Sequence, residues 1–135
     1  MKYTPENITH LQPNQVFVYG SNRSGIHGAG AARQALTFGA QYGKTGLVGQ
    51  TYGLSTKDEK IETLPISEIK KEVELFLQIV KQNPHLHFLV TKVGTGLAGF
   101  KINEIAPLFK NFLNLENMSL PKEFYDSIIY HGRNK

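Results

Sequence analysis

The chain has 135 residues, of which 40% are hydrophobic and 19% charged, a composition typical of one globular domain spanning residues 1–135. Cysteine is absent, which excludes disulfides, thiolate zinc sites and a cysteine nucleophile, and we find no signal-peptide pattern or membrane-length apolar run. The net charge of +4 suits an anionic ligand, but the lysines are mixed with acidic residues, which disfavours a nucleic-acid partner. We therefore expect a cytoplasmic protein that does not contact a membrane.

The first predicted strand covers residues 16–19 and leads into a glycine-rich loop. The apolar run VFVY is typical of a buried strand, and the sequence GSNRSGIHGAG follows it directly. A helix is predicted over residues 28–39, with alanines and a leucine on one face. Glycines between a strand and a helix let backbone N–H groups approach a ligand closely, and the helix start attracts anions. This junction therefore predicts a phosphate or diphosphate site.

The rest of the chain continues the alternation of strands and helices. The predicted elements are an extended segment over 47–54, a polar surface loop over 56–65, a helix that begins near 67 and stops at 83–84, a strand over 86–93, a helix over 102–112 and a last strand over 127–130. The helix after residue 67 carries Ile69, Val73, Phe76, Leu77 and Val80 at helical spacing, which indicates a core-facing helix.

This alternation predicts an α/β fold, a single three-layer α/β/α domain with a mostly parallel central sheet. Right-handed crossovers place the loops that follow parallel strands at one edge of the sheet. Ligands of open α/β sheets bind beyond that edge. We therefore expect segments 20–30, 55–58 and 94–100 to gather there, with 131–133 as a further candidate.

A second glycine-rich loop, GTGLAGF over residues 94–100, also follows an apolar run, as the first loop does. Neither loop carries the Gly-Lys-Ser/Thr ending of a kinase-type phosphate loop, and the first lacks the GxGxxG spacing of dinucleotide-binding folds. Two such loops in a small domain favour a nucleotide-like ligand. The alternative is that the glycines serve tight turns and close packing of helix on sheet.

Three polar residues are candidates for catalysis. Asn22 follows the first strand, where its amide could contact a ligand or could bond to its own loop backbone. His27 could bind a diphosphate or shuttle protons, or it could be an ordinary loop histidine. Asp58 could act as a base, or it could form a surface ion pair with Lys57. The other histidines have no ligand spacing, so we expect neither a metal nor a cofactor.

The order of these features resembles the macrodomain, a family whose members bind ADP-ribose and its derivatives. The shared order is a strand, an asparagine, a glycine-rich loop, an alanine-rich helix and a late strand that ends in Thr-Gly-x-x-Gly-aromatic, here Thr95 to Phe100. The segments FVYGSN, GIHGAGAA, STKD, TLPISEIK and TKVGTGLAGF are similar to a small group of bacterial and phage-borne macrodomain-like proteins. The resemblance implies a site for ADP-ribose or a related nucleotide diphosphate.

The resemblance also implies roles for single residues. The backbone of residues 94–99 would wrap the diphosphate, Asn22 would contact the distal ribose, Phe100 would stack on the sugar, and Asn7 would touch adenine. The residues expected to bind the ligand are Asn7, Ser21, Asn22, Gly28, Gly30, Gly94, Thr95, Gly96, Leu97, Ala98, Gly99 and Phe100.

The chain departs from the macrodomain pattern at three positions. Ala32 stands where hydrolytic members carry an acid, Ala98 stands where many carry an aromatic residue, and Asn7 replaces an aspartate. These changes leave backbone binding of a diphosphate intact and put hydrolysis in question. If the protein is a hydrolase, it would remove ADP-ribose from a target or a phosphate from a phosphorylated ADP-ribose, with His27 or Asp58 activating water.

Two function classes stand beside hydrolysis. The first is a reader that binds ADP-ribosylated macromolecules without turnover, or an accessory protein that sequesters a nucleotide signal; the alanine at position 32 favours it. The second is a basic module that binds RNA or DNA through the same loops. Its affinity would fall steeply with salt and would not respond to competing ADP-ribose.

Overall fold

The computed structural model describes residues 2–133 and contains five strands and four α-helices within them. The strands are β1 (Gln15–Asn22), β2 (Gly46–Val48), β3 (Thr51–Lys57), β4 (His87–Val90) and β5 (Met118–Ser119). The helices are α1 (Gly30–Ala35), α2 (Ile66–Gln82), α3 (Ile102–Ile105) and α4 (Lys122–Arg133). Short 3₁₀ segments, Leu36–Phe38 and Ala106–Phe112, extend α1 and α3.

The strands form one sheet in the order β2-β3-β1-β4-β5. Only β2 runs antiparallel to its neighbour, β3, and the other pairs are parallel. The expectation of an α/β fold with a mostly parallel sheet is therefore confirmed. The chain starts in the middle of the sheet, adds β3 on one side of β1 and then β4 on the other. The sheet thus changes winding direction between β1 and β4, which is where open α/β sheets form a crevice.

The larger hydrophobic cluster lies between the sheet and α2, α3 and α4. Val16 and Val18 of β1 enter it, together with Phe76 of α2 and Phe88 of β4. Ile69, Val73, Phe76 and Val80 are each fully buried, which confirms the core-facing stripe predicted for α2; Leu77 packs against the cluster and is partly buried. Asn83 follows α2, and Asn83 and Pro84 end it as predicted.

A smaller cluster covers the opposite side of β1. Successive side chains of a strand point to opposite faces, so Phe17 and Tyr19 leave the larger cluster and join this one. Their partners include Ala35 of α1 and Ala40, with Phe38 packed at the margin. α1 therefore rests on the smaller of the two clusters, and the first glycine-rich loop contacts this cluster through His27, which bonds to Tyr19.

The predicted last strand over residues 127–130 is wrong, because these residues belong to α4. The run Ser-Ile-Ile-Tyr contains two β-branched residues and an aromatic one, but Phe124, Tyr125 and Ile128 bury one side of a helix at helical spacing. Tertiary packing decides the conformation here over local preference. The two-residue β5 was not predicted, and the segment predicted over 47–54 is divided between β2 and β3 as an antiparallel hairpin.

The remaining elements agree with the predictions within a few residues. α1 begins at Gly30, two residues later than predicted, and the helix predicted over 102–112 is partly 3₁₀. Thr56 and Lys57 lie in β3 rather than in the polar loop. None of the helices in the described part of the chain has the length and hydropathy to cross a bilayer.

Candidate functional site

A cavity of about 410 Å³ lies at the carboxyl ends of β1, β3 and β4. It is lined by Gly20, Ser21, Asn22, Ile26, Gly28, Ala29, Gly30, Ala31, Ala32, Thr56, Lys57, Ile61, Thr91, Lys92, Val93, Gly94, Gly96, Leu97 and Ala98. The residues come from both glycine-rich loops and from the end of β3, as the sequence predicted. We call this space the first cavity.

The two glycine-rich loops, residues 20–30 and 94–100, both contribute to the wall of the first cavity. Gly28 and Gly96 line it, and a Cβ atom built on either would meet no heavy atom within 4 Å. Within residues 2–133, no hydrogen-bond acceptor is found for the backbone N–H groups of Gly96, Leu97 and Ala98, nor for those of residues 28–32. These amides are free to bind an acceptor from outside the chain.

The second glycine-rich loop has little freedom to change shape. Gly94 has a φ of +76°, and a Cβ there would lie 2.9 Å from Ile105 Cδ1. The N–H of Phe100 donates to the carbonyl of Gly94, and the N–H of Gly99 donates to that of Gly96, each at 3.0 Å. Gly94 is thus needed for close packing, while Gly96 faces open space.

Asn22 holds the first glycine-rich loop together. Its Nδ2 donates to the carbonyl of Ile26 and its Oδ1 accepts from the N–H of Ile26, both at 3.0 Å. The side chain is buried and also lines the first cavity. The sequence left open whether the Asn22 amide contacts a ligand or bonds to its own loop backbone. The structure shows the bond to the loop backbone.

Replacing Asn22 by alanine is expected to lower the free energy of unfolding by about 1–3 kcal/mol, because both backbone groups of Ile26 lose their partner. Chemical denaturation measures this loss. Asn103 is exposed and makes a matched control, since Asn103→Ala should change stability by no more than about 0.5 kcal/mol. Equal stabilities of the two variants would contradict a clamping role for Asn22.

His27 lies behind the first glycine-rich loop and is not among the residues that line the first cavity. Its ring is only 5% exposed, and its Nε2 lies 2.8 Å from the Tyr19 hydroxyl. Burial raises the pKa of that phenol, so the hydroxyl stays protonated over the ordinary pH range. Nδ1 of His27 is buried and has no hydrogen-bond partner in the described chain. A proton-transfer role for His27 remains a prediction from sequence.

Asp58 stabilises the turn that follows β3 and is also absent from the lining of the first cavity. Its Oδ1 accepts hydrogen bonds from the N–H groups of Lys60, at 2.8 Å, and Glu62, at 3.0 Å. The Asp58 carboxylate therefore accepts hydrogen bonds from the backbone of its own loop. The sequence had suggested either a catalytic base or an ion pair with Lys57, and neither of these includes such bonds. Its proposed action on water remains a prediction.

The charged residues that line the first cavity are both lysines. Lys57 is half-buried at the end of β3, and Lys92 forms an ion pair with Glu123 of α4. The hydrogen bond with Glu123 raises the pKa of Lys92, and the same bond lowers the pKa of Glu123. Residues 2–133 contain no group of three histidine or acidic side chains that could hold a metal ion.

The structure gathers most of the residues predicted to bind the ligand. Those that line the first cavity are Ser21, Asn22, Gly28, Gly30, Gly94, Gly96, Leu97 and Ala98. Thr95, Gly99 and Phe100 belong to the second loop but do not line it, and the Phe100 ring packs against the larger hydrophobic cluster. Residues 131–133 belong to α4, and their side chains lie outside the described residues.

Asn7 lines a second cavity of about 410 Å³ beside the first. Ala31, Thr91 and Lys92 line both cavities, so the two spaces adjoin along these residues. The second cavity also contacts Phe17 of β1 and Gln34 of α1.

Sequence reasoning missed several residues of the first cavity, notably Thr91, Lys92 and Ile61. Thr91 and Lys92 were placed inside a strand over 86–93, whereas β4 ends at Val90. Gly94, two residues after Lys92, indicates that the strand ends before it, and it could have indicated that Thr91 and Lys92 lie near the site. Nothing in the sequence around Ile61 indicates that it lines the cavity.

Comparisons with known proteins identify no relative: no family model, no curated protein and no solved structure matches the chain.

Proposed function

We propose that the chain is a macrodomain-like, three-layer α/β/α protein that binds ADP-ribose or a related nucleotide diphosphate in the first cavity. The observation that carries this proposal is the pair of glycine-rich loops on one cavity, with backbone N–H groups that lack acceptors in residues 2–133. A diphosphate offers several acceptor oxygens and negative charge. Backbone amides bind such groups without side chains, which fits the open space at Gly28 and Gly96.

The position and charge of the first cavity support the same ligand class. It lies beyond the carboxyl ends of the strands, between β1 and β4, where the winding of the sheet reverses. Lys57 and Lys92 add positive charge at its wall, and no acidic residue of the described chain lines it. The Lys92 charge is partly balanced by Glu123, so Lys57 is the stronger candidate to approach the diphosphate.

The second cavity is proposed to hold the nucleoside part of the ligand. Because Ala31, Thr91 and Lys92 border both cavities, a ligand with its diphosphate in the first can extend into the second. Asn7 lines that space, and its side-chain oxygen can accept a hydrogen bond from an adenine amine. Phe17 supplies apolar surface beside it.

Binding without turnover is the form of this function that the site supports best. No Asp, Glu or His is among the described residues that line the first cavity, and Ala32, in the position of the macrodomain acid, is one of them. General acid–base catalysis requires such a group within hydrogen-bond reach of the reacting atoms. We therefore favour a reader or sequestering protein. Hydrolysis assisted by His27 or Asp58 is the second candidate, and it requires these residues to move.

Isothermal titration with ADP-ribose tests the proposal. We expect one site with a micromolar Kd, weak dependence on salt, and no release of product from ADP-ribosylated protein or from phosphorylated ADP-ribose. A product would favour hydrolysis. Absence of ADP-ribose binding, combined with RNA or DNA binding that falls steeply with salt, would contradict the proposal and favour a nucleic-acid module.

A further inference from the structure

Ile61 has an unusual backbone conformation, an exposed side chain and a place in the wall of the first cavity. Its φ is +63°, and it is the only non-glycine residue in the described chain with a positive φ. Its side chain is 43% exposed, and it lines the first cavity. A β-branched residue is strained in this region of backbone space, and such strain tends to occur at functional sites.

Hydrogen bonds within residues 58–63, which we call the third loop, hold Ile61 in this conformation. Asp58 accepts from the N–H groups of Lys60 and Glu62, on either side of Ile61. The N–H of Ile61 donates to the carbonyl of Asp58 at 3.1 Å, and the N–H of Asp58 donates to that of Glu62 at 2.8 Å. The turn is thus fixed by four hydrogen bonds, while Ile61 itself stays 43% exposed.

The third loop also joins the two glycine-rich loops. Oγ of Ser24, in the first loop, donates to the carbonyl of Glu59 at 2.5 Å. Oγ1 of Thr63 donates to the carbonyl of Ala98, in the second loop, at 3.1 Å. The position of Ile61 is therefore set relative to both loops that surround the first cavity.

A second exposed aliphatic side chain lines the same cavity. Leu97 of the second glycine-rich loop is 77% exposed. Ile61 and Leu97 line the first cavity and not the second, whereas Ala31, Thr91 and Lys92 mark the border between them. The two aliphatic side chains therefore belong to the first cavity alone, outside the space proposed for the nucleoside.

From this geometry we infer that Ile61 is a specificity-determining residue, which packs with Leu97 against the apolar face of the sugar beyond the diphosphate. The inference rests on the proposed function. The inference explains why the strained turn exposes Ile61: the ligand would bury the Ile61 and Leu97 side chains, which are exposed in its absence. The site would then distinguish ADP-ribose from ADP, which lacks that sugar.

The test measures thermal stability and the affinities for ADP-ribose and ADP of wild type, Ile61→Gly and Ile61→Asn. Glycine and asparagine both accept a positive φ, so neither variant should melt below wild type. We expect ADP-ribose affinity to fall about tenfold in both variants, since apolar contact is lost, and ADP affinity to change less than about twofold. Leu75 is exposed on α2 outside both cavities, and Leu75→Gln should leave both affinities unchanged.

The outcomes separate this inference from the proposed function. If wild type binds ADP-ribose and the Ile61 variants keep its preference over ADP, the inference is wrong and the proposed function stands. Equal losses for ADP and ADP-ribose would also overturn the assignment of Ile61 to the sugar. If wild type binds neither ligand, both the inference and the proposed function are wrong.

Discussion

Replacing Gly96 by valine is expected to abolish ADP-ribose binding and to leave the free energy of unfolding nearly unchanged. Gly96 lines the first cavity, its φ is not positive, and a Cβ there would meet no heavy atom within 4 Å. The fold therefore accepts a side chain at this position, but the branched group takes the space assigned to the diphosphate. Titration should show an affinity loss of at least a hundredfold, about 2.7 kcal/mol.

Gly94 in the same loop provides the matched comparison. Gly94→Val forces a branched residue to a φ of +76° and drives it against Ile105, whose Cδ1 would lie 2.9 Å from the new Cβ. This variant should lose stability by several kcal/mol as well as affinity. Gly96→Ala should have an intermediate affinity and wild-type stability. Unchanged affinity of Gly96→Val would remove the second glycine-rich loop from the binding site.

Replacing His27 by alanine is expected to lower stability and ADP-ribose affinity together. His27 is 5% exposed and its Nε2 lies 2.8 Å from the Tyr19 hydroxyl, so the substitution leaves a cavity and removes this hydrogen bond from a buried hydroxyl. We expect a loss of about 2–4 kcal/mol in the free energy of unfolding. Affinity should fall because His27 connects the first glycine-rich loop to β1. Chemical denaturation and titration measure the two effects.

Two further variants distinguish a positioning role of His27 from a catalytic one. His10 is exposed, and His10→Ala should change neither stability nor affinity. Tyr19→Phe removes only the hydroxyl, so it should reproduce part of the His27→Ala loss, and the double variant should show less than the sum of both. A hydrolysis rate that falls far more than affinity in His27→Ala would instead support the catalytic role suggested by the sequence.

Much of the fold could be predicted because local patterns and packing agree. The stripe on α2 and the apolar run of β1 have periods that match their final environments. Residues 127–130 were mispredicted because two isoleucines and a tyrosine in a row resemble a strand when they are considered apart from the rest of α4. β5 has only two residues, too few for any periodicity to be recognised.

The parts of the candidate site that are formed by backbone could be predicted from the sequence, and the parts that depend on side-chain direction could be predicted less well. Glycine content indicated both loops, since glycine lets backbone N–H groups approach a ligand closely. The direction of a side chain depends on tertiary contacts that a linear pattern does not contain. His27 turns towards Tyr19, Asp58 bonds to its own loop, and Ile61 takes a backbone conformation that its residue type disfavours.

The unequal hydrophobic clusters on the two sides of β1 affect how the chain opens locally. α1 packs on the smaller cluster, so local opening of its hydrogen-bonded amides is expected to need less than the global free energy of unfolding. The second loop is anchored on the larger cluster through Gly94 and Ile105. A ligand that contacts both glycine-rich loops would connect the side with the smaller cluster to the side with the larger one. Ligand binding would therefore slow amide hydrogen exchange in α1 most.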